Sequence, residues 1–154
     1  VLVGEMRDFE TIQAALTIAE TGHLVFATLH TNSAAQSIDR IVDVFPENQQ
    51  GQVRLQLSSA LEGIMSLRLL PALAGGRVPV AEILTATPAV KTLIREGKTH
   101  QIDNIIQTSA EFGMVTLEAA LAQLVRAGSI NVEVAASYAI RPEELGRLIK
   151  TQIS

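Results

Sequence analysis

The apolar positions of the first thirty residues predict a strand, a helix and a second strand. Residues 1–3 form a continuous apolar run, typical of a strand buried on both faces of a parallel sheet. Apolar residues recur at helical spacing over 9–20, with Asp8 placed to cap this helix and Gly22 to end it. A second β-rich run covers 23–29. This order is a βαβ unit and predicts the α/β fold class.

The middle of the chain predicts two further helices and a hairpin. Helical spacing predicts one helix that begins after Ser33 and a second over 49–64. Two β-rich runs, 65–70 and 78–84, flank a glycine-rich turn and predict a β-hairpin.

From residue 87 onward the pattern becomes helical. Glycines separate the predicted helices, and Pro142 is expected to break the last one. We therefore predict a partial α/β core over 1–86 and a helical subdomain over 87–154. The predicted helices span about 87–96, 99–109, 115–127 and 131–150.

Composition narrows the function classes. The chain is 47% hydrophobic and 18% charged, which is a globular composition. A net charge of −4 argues against a free nucleic-acid binder, and the lack of cysteine excludes disulfides and thiolate zinc sites. No apolar run is long enough to span a bilayer. Because the chain opens on apolar Val1 without a methionine or a turn, we expect a fragment cut inside a sheet.

Two polar side chains follow the predicted strands, at the sheet edge where α/β proteins bind ligands. Glu5 follows the first strand and His30 the second. Such an acid can hold Mg²⁺ through water, although more often it is a solvated loop residue or a helix cap. His30 is a candidate donor to a phosphate, and a packing or loop role is the alternative. His23 lies on the opposite strand face, so the two histidines are poor candidates for one metal site.

A short basic stretch lies at a predicted helix–helix turn, with Arg95, Lys98 and His100. Its charges suit a solvated helix C-terminus, and a contact surface for a subunit or partner is the second interpretation. No G-x-x-x-x-G-K-[ST] phosphate loop occurs in the chain. The sequence Gly97-Lys98-Thr99 imitates the end of such a loop but follows a helix instead of a strand.

Three segments resemble the ATPases of type II secretion and type IV pili. Residues 1–8, VLVGEMRD, resemble the Walker B segment, and residues 21–32, TGHLVFATLHTN, resemble the histidine box. Residues 89–101, AVKTLIREGKTHQ, resemble the motif typical of the PilT-type retraction branch. The resemblance covers essentially the whole chain.

The resemblance implies part of a RecA-like P-loop NTPase core followed by a C-terminal helical subdomain, with ATP and Mg²⁺ as cofactors. It implies that Glu5 is the Walker B acid, acting on Mg²⁺ through water, and that His30 contacts the γ-phosphate. Arg7, Asp8 and Thr28 are candidates for the nucleotide-binding loop. The implied retraction motif, required for retraction and not for hydrolysis, comprises Leu93, Ile94, Arg95, Glu96, Gly97, Lys98, Thr99, His100 and Gln101.

The implied function is an ATP-hydrolysing motor of pilus retraction and twitching motility. Such a motor is a homo-hexamer at the cytoplasmic face of the bacterial inner membrane, attached through a platform protein, and no direct nucleic-acid contact is expected. The phosphate loop and general base would precede Val1, so the isolated piece is expected to be inactive. Three same-family alternatives are an accessory retraction, DNA-uptake or type II secretion ATPase. A non-catalytic helical interaction module is the remaining alternative.

Overall fold

Residues 1–151, which the computed structural model describes, contain four strands and eight α-helices. The last three residues of the predicted helical subdomain lie outside the described part. The elements are β1 (Leu2–Glu5), α1 (Phe9–Glu20), β2 (Phe26–Thr28), α2 (Ala34–Asp43), α3 (Glu47–Ala60), β3 (Gly63–Pro71), β4 (Arg77–Thr85), α4 (Pro88–Arg95), α5 (Ile102–Thr108), α6 (Leu117–Arg126), α7 (Val132–Tyr138) and α8 (Pro142–Lys150).

The predicted βαβ unit is confirmed. Strands β1 and β2 pair in parallel, with Glu5 opposite Thr28. Helix α1 begins where predicted because the Asp8 carboxylate accepts the Thr11 amide at 2.8 Å, and it ends before Gly22 at φ +88°. Strand β2 is shorter than the predicted 23–29, since its partner β1 has only four residues.

The predicted burial of the first strand on both faces is wrong. Val1 is 56% exposed, Leu2 80% and Phe26 of the neighbouring strand 62%. In the described chain this parallel sheet has two strands, which leaves these side chains uncovered.

Helices α2 and α3 form part of the core. Ser33 caps α2, as predicted, by accepting the Gln36 amide at 3.2 Å. The prediction that α3 extends to Ile64 is wrong, because the backbone becomes extended at Leu61 and Ile64 pairs with Leu84 in the hairpin. The spacing of these apolar residues suits either a helix or a strand.

The predicted hairpin is confirmed. Strands β3 and β4 pair antiparallel from Gly63 opposite Thr85 to Pro71 opposite Arg77. One face of the hairpin points into the molecule; its apolar residues lie at the two ends of the strands and its polar residues lie between them. The other face exposes a row of apolar side chains. The inward polar residues are Ser66, Arg68 and Glu82, and the exposed apolar ones are Met65, Leu67 and Leu69.

Two hydrophobic clusters pack against this hairpin. The first joins α1–α5 with Leu84 and Met114, and the second joins α6–α8 with Leu70 and Val80. Helices α4 and α5 therefore share a cluster with α1–α3, whereas we predicted a domain boundary at residue 86; that boundary stays a prediction. The helical character after residue 87 and the break near Pro142 are confirmed. Within residues 1–151, no helix has the length and hydropathy to cross a bilayer.

Candidate functional site

Glu5, Arg7 and His30 meet at the carboxyl end of the parallel sheet. Glu5 Oε1 lies 2.5 Å from Arg7 Nε and 3.2 Å from His30 Nε2. The three come together because β1 ends at Glu5 and the parallel strand β2 ends two residues before His30, at the same sheet edge. The prediction that the acid and the histidine lie at one edge agrees with this geometry.

The cluster holds its carboxylate in the charged form. The hydrogen bond from Arg7 is the main cause that lowers the pKa of Glu5 below its usual range, and partial desolvation acts in the opposite direction. The same contact raises the pKa of Arg7. The Glu5 side chain is 26% exposed, whereas those of Arg7 and His30 are 73% and 82% exposed. The acid is thus fixed in place while its two partners face solvent.

A bound cation would find one carboxylate here. Both contacts of Glu5 engage Oε1, which leaves Oε2 without a partner among residues 1–151. The same residues contain no group of three or more histidine, cysteine, aspartate or glutamate side chains placed to hold a metal ion. This donor set fits Mg²⁺ held through water and shared with substrate phosphates, because Mg²⁺ keeps most of its waters in such sites.

The remaining loop candidates have local structural contacts. The Thr28 hydroxyl donates to the Gly4 carbonyl at 2.5 Å and so ties β2 to β1. Both carboxylate oxygens of Asp8 accept from Thr11, and the amide donor is the main cause that lowers the pKa of Asp8. His23 lies within hydrogen-bonding distance of the Thr21 hydroxyl, at 2.9 Å. The predicted contact of Thr28 and Asp8 with nucleotide stays a prediction, and none was predicted for His23.

The predicted retraction motif spans the end of α4, a turn and a 3-10 turn at Thr99–Gln101. Ile94 is fully buried in the first hydrophobic cluster, whereas Arg95 and Lys98 are exposed. The Thr99 hydroxyl donates to Asp39 of α2 at 2.7 Å. The motif is therefore attached to the helix that begins just after His30.

Two residues that support the loop after His30 were missed as site residues. Arg68 and Glu82 lie on the inward face of the hairpin, and they bond the Asn32 carbonyl and the Ala34 amide, respectively. The signal for Glu82 was an acid at a position where the alternation of 78–84 calls for an inward apolar residue. Only the fold shows what either residue contacts.

Comparison with known proteins decides the family. The model of the type II/IV secretion system protein family matches residues 1–136. The chain belongs to this family. It is 52% identical over 143 residues to the type IV pilus retraction ATPase PilT of Pseudomonas aeruginosa, covering 93% of this chain and 42% of that protein. It is 41% identical over 151 residues to the type IV pilus ATPase PilU of the same organism, covering 97% and 40%.

A solved structure supports the same placement. The crystal structure of the pilus retraction motor PilT with bound ADP matches with a TM-score of 0.85 at 49% identity, covering 95% of this chain and 41% of that one. The resemblance to PilT-type ATPases and the partial RecA-like fold are thus confirmed. The chain spans about two fifths of the length of these relatives.

Proposed function

We propose that this chain is the Walker B and histidine-box part of an ATP-hydrolysing motor that retracts type IV pili. The observation that carries the proposal is the Glu5–Arg7–His30 cluster at the carboxyl end of a parallel sheet, in a chain half identical to a pilus retraction ATPase. ATP is the proposed cofactor, and the ADP bound by the solved relative supports it.

The residues of the cluster divide the work between them. Glu5 stays ionised because Arg7 stabilises its charge, so it presents a carboxylate to a cation at neutral pH. His30, exposed beside it, donates to the γ-phosphate of ATP. Arg7 sets the orientation of the carboxylate. Catalysis of phosphoryl transfer depends mainly on such positioning and charge stabilisation.

Glu5 would hold Mg²⁺ through water. The cation, when bound, neutralises the charge that develops on the phosphate oxygens. The single partner-free oxygen of Glu5 suits this indirect role better than direct enclosure of the ion.

The proposed setting is a homo-hexamer at the cytoplasmic face of the inner membrane. A platform protein of the pilus machine would hold the motor there, and the exposed part of the retraction motif is the proposed contact. The higher identity to PilT than to PilU, 52% against 41%, favours the main retraction motor over the accessory one.

Replacement of the acid tests the proposal in the intact ATPase that contains this chain. Glu5→Gln removes the charge and keeps the shape, so we expect ATP turnover to fall at least about 100-fold, the scale of losing one electrostatic catalytic group. His30→Ala should give a smaller loss of turnover. Both are measured by phosphate release at saturating Mg²⁺ and ATP.

The matched control is Glu47→Gln, which changes an exposed acid in the first turn of α3. It should leave turnover unchanged. Near-normal turnover of Glu5→Gln would refute the Walker B assignment, and an unchanged rate for His30→Ala would restrict that residue to a structural role.

A further inference from the structure

The loop after His30 is held from the core side by an arginine that also holds the C-terminal helices. Arg68 Nη2 donates to the Asn32 carbonyl at 2.9 Å, and Arg68 Nη1 donates to the Tyr138 carbonyl at 2.9 Å. The two acceptors lie 36 residues before and 70 residues after Arg68. One side chain thus bridges the candidate nucleotide site and the end of α7.

Both ends of this bridge are fixed by further bonds. Near Asn32, the first amide of α2, that of Ala34, donates to Glu82 Oε1 at 2.8 Å. Near Tyr138, the fully buried Glu118 accepts from the amides of Ile140 and Arg141.

The chemistry of arginine suits this place. A planar guanidinium presents several donors in fixed directions, so it can serve two carbonyls at once, whereas an ammonium group serves them less well. The bond to Tyr138 is partly buried, so an unpaired donor or carbonyl there would be costly, whereas the bond to Asn32 is exposed. Because both donors bond backbone carbonyls, the position of the Arg68 side chain depends on the positions of Asn32 and Tyr138.

We infer that Arg68 is a positioning residue that sets the place of His30 through Asn32 and couples it to the junction of α7 and α8. The inference rests on the proposed function for its catalytic consequence. A shift of Tyr138 moves the guanidinium and with it the loop that carries His30. Such coupling is reciprocal, so a change at the nucleotide site is transmitted to α7 and α8.

The first test is kinetic, in the intact ATPase that contains this chain. Arg68→Met keeps a long apolar stem and removes both donors. We expect kcat to fall about tenfold with KM for ATP changed less than about twofold, because the misplaced group acts in the transition state. Arg68→Lys should recover part of the loss. The matched control is Arg77→Met, an exposed arginine on the same hairpin, which should behave as wild type.

A double-mutant cycle separates positioning from general destabilisation. If Arg68 acts through His30, Arg68→Met should have little further effect on kcat in a His30→Ala background. Additive losses would overturn the inference.

Hydrogen exchange tests the coupling without catalysis. Arg68→Met should speed amide exchange in two segments together, 31–34 and 138–141, with Arg77→Met unchanged. Unchanged exchange in either segment would overturn the inference. If the wild-type protein does not hydrolyse ATP, the proposed function fails, and the exchange result alone decides whether Arg68 couples the two segments.

Discussion

At the scale of single residues, the most unusual group is a buried acid of β4 that accepts the first amide of α2. Glu82 is 3% exposed and accepts the Ala34 amide. Burial is the main cause that raises its pKa, and the acids Asp103 and Glu118 add to the rise. The amide bond and Arg141 oppose it. A group that supports the His30 loop therefore also makes stability depend on pH.

The sign of that dependence follows from the raised pKa. At pH below the ordinary carboxyl pKa, Glu82 is protonated in both folded and unfolded chains and costs nothing. As pH rises from there through the raised folded value, the folded state holds the proton that the unfolded state releases, and stability falls. Above the folded pKa the loss is complete and constant.

Glu82→Gln should remove this fall in stability. The glutamine keeps an oxygen for the Ala34 amide and loses the charge. We expect its free energy of unfolding to match or exceed that of wild type at neutral pH and to lack the decline above the ordinary carboxyl pKa. Urea unfolding followed by far-ultraviolet circular dichroism from pH 4 to 8 measures this. Glu111→Gln, at an exposed site, is the control; an unchanged decline in Glu82→Gln would contradict the assignment.

At the scale of elements, the sequence predicts what caps and periodicity determine. Helices α1 and α2 begin where Asp8 and Ser33 predict, because each side chain accepts an amide of the first turn. The meeting of Glu5 and His30 follows from parallel strands that end at one edge.

The end of α3 was not predictable in the same way. Leu61 and Ile64 suit the spacing of a helix face, and Ile64 also suits the alternation of a strand. Pairing of Ile64 with Leu84, twenty residues later, decides for the strand. The contacts of Arg68 leave no local signal either, since both acceptors are backbone carbonyls distant in sequence.

In the retraction motif, some residues are buried and some are exposed, so only some substitutions can test its role in retraction without destabilising the fold. Ile94 fills the first hydrophobic cluster, so Ile94→Ala would cost about 2–5 kcal/mol of stability and could not separate retraction from folding. Arg95 and Lys98 are exposed and carry no such cost.

We expect Arg95→Ala with Lys98→Ala to abolish twitching motility while ATP turnover stays within about twofold of wild type, as surface changes perturb folding little. Twitching is measured by colony spreading, and turnover on the purified intact protein. Arg77→Ala, at an exposed site on the hairpin, is the control. If the double variant still shows twitching motility, the result would favour an accessory retraction ATPase over the main retraction motor.

At the scale of the whole molecule, one hairpin joins two hydrophobic clusters and leaves apolar surface open elsewhere. An open groove of about 1140 Å³ lies between β2 and β3, lined by α1, α3 and the exposed side chains of both strands. The Glu5 cluster lies at the end of the same small sheet, with His30 and Arg7 facing solvent. In the described chain, the candidate site is therefore open to solvent on the side of Arg7 and His30.

Because the site is open to solvent, we expect the isolated 154-residue chain to bind and hydrolyse ATP poorly. The strongest anion-binding device of this protein class is a loop whose backbone amides surround the phosphates, and the sequence contains none. One carboxylate, one imidazole and one guanidinium in solvent cannot replace it. We expect no ATP turnover above background by the isolated chain, and a Kd for Mg²⁺-ATP above about 1 mM, which corresponds to less than about 4 kcal/mol of binding free energy.

Isothermal titration and phosphate release measure both quantities, with the proposed intact ATPase as the positive control and circular dichroism to show that the isolated chain is folded. Tight binding by the folded chain would mean that Glu5, Arg7 and His30 hold nucleotide without a phosphate loop. In that case Glu5→Gln in the isolated chain should abolish the binding, and the division of the site proposed above would have to be abandoned. Weak binding by a folded chain instead leaves these residues the role of acting on a nucleotide that another segment holds.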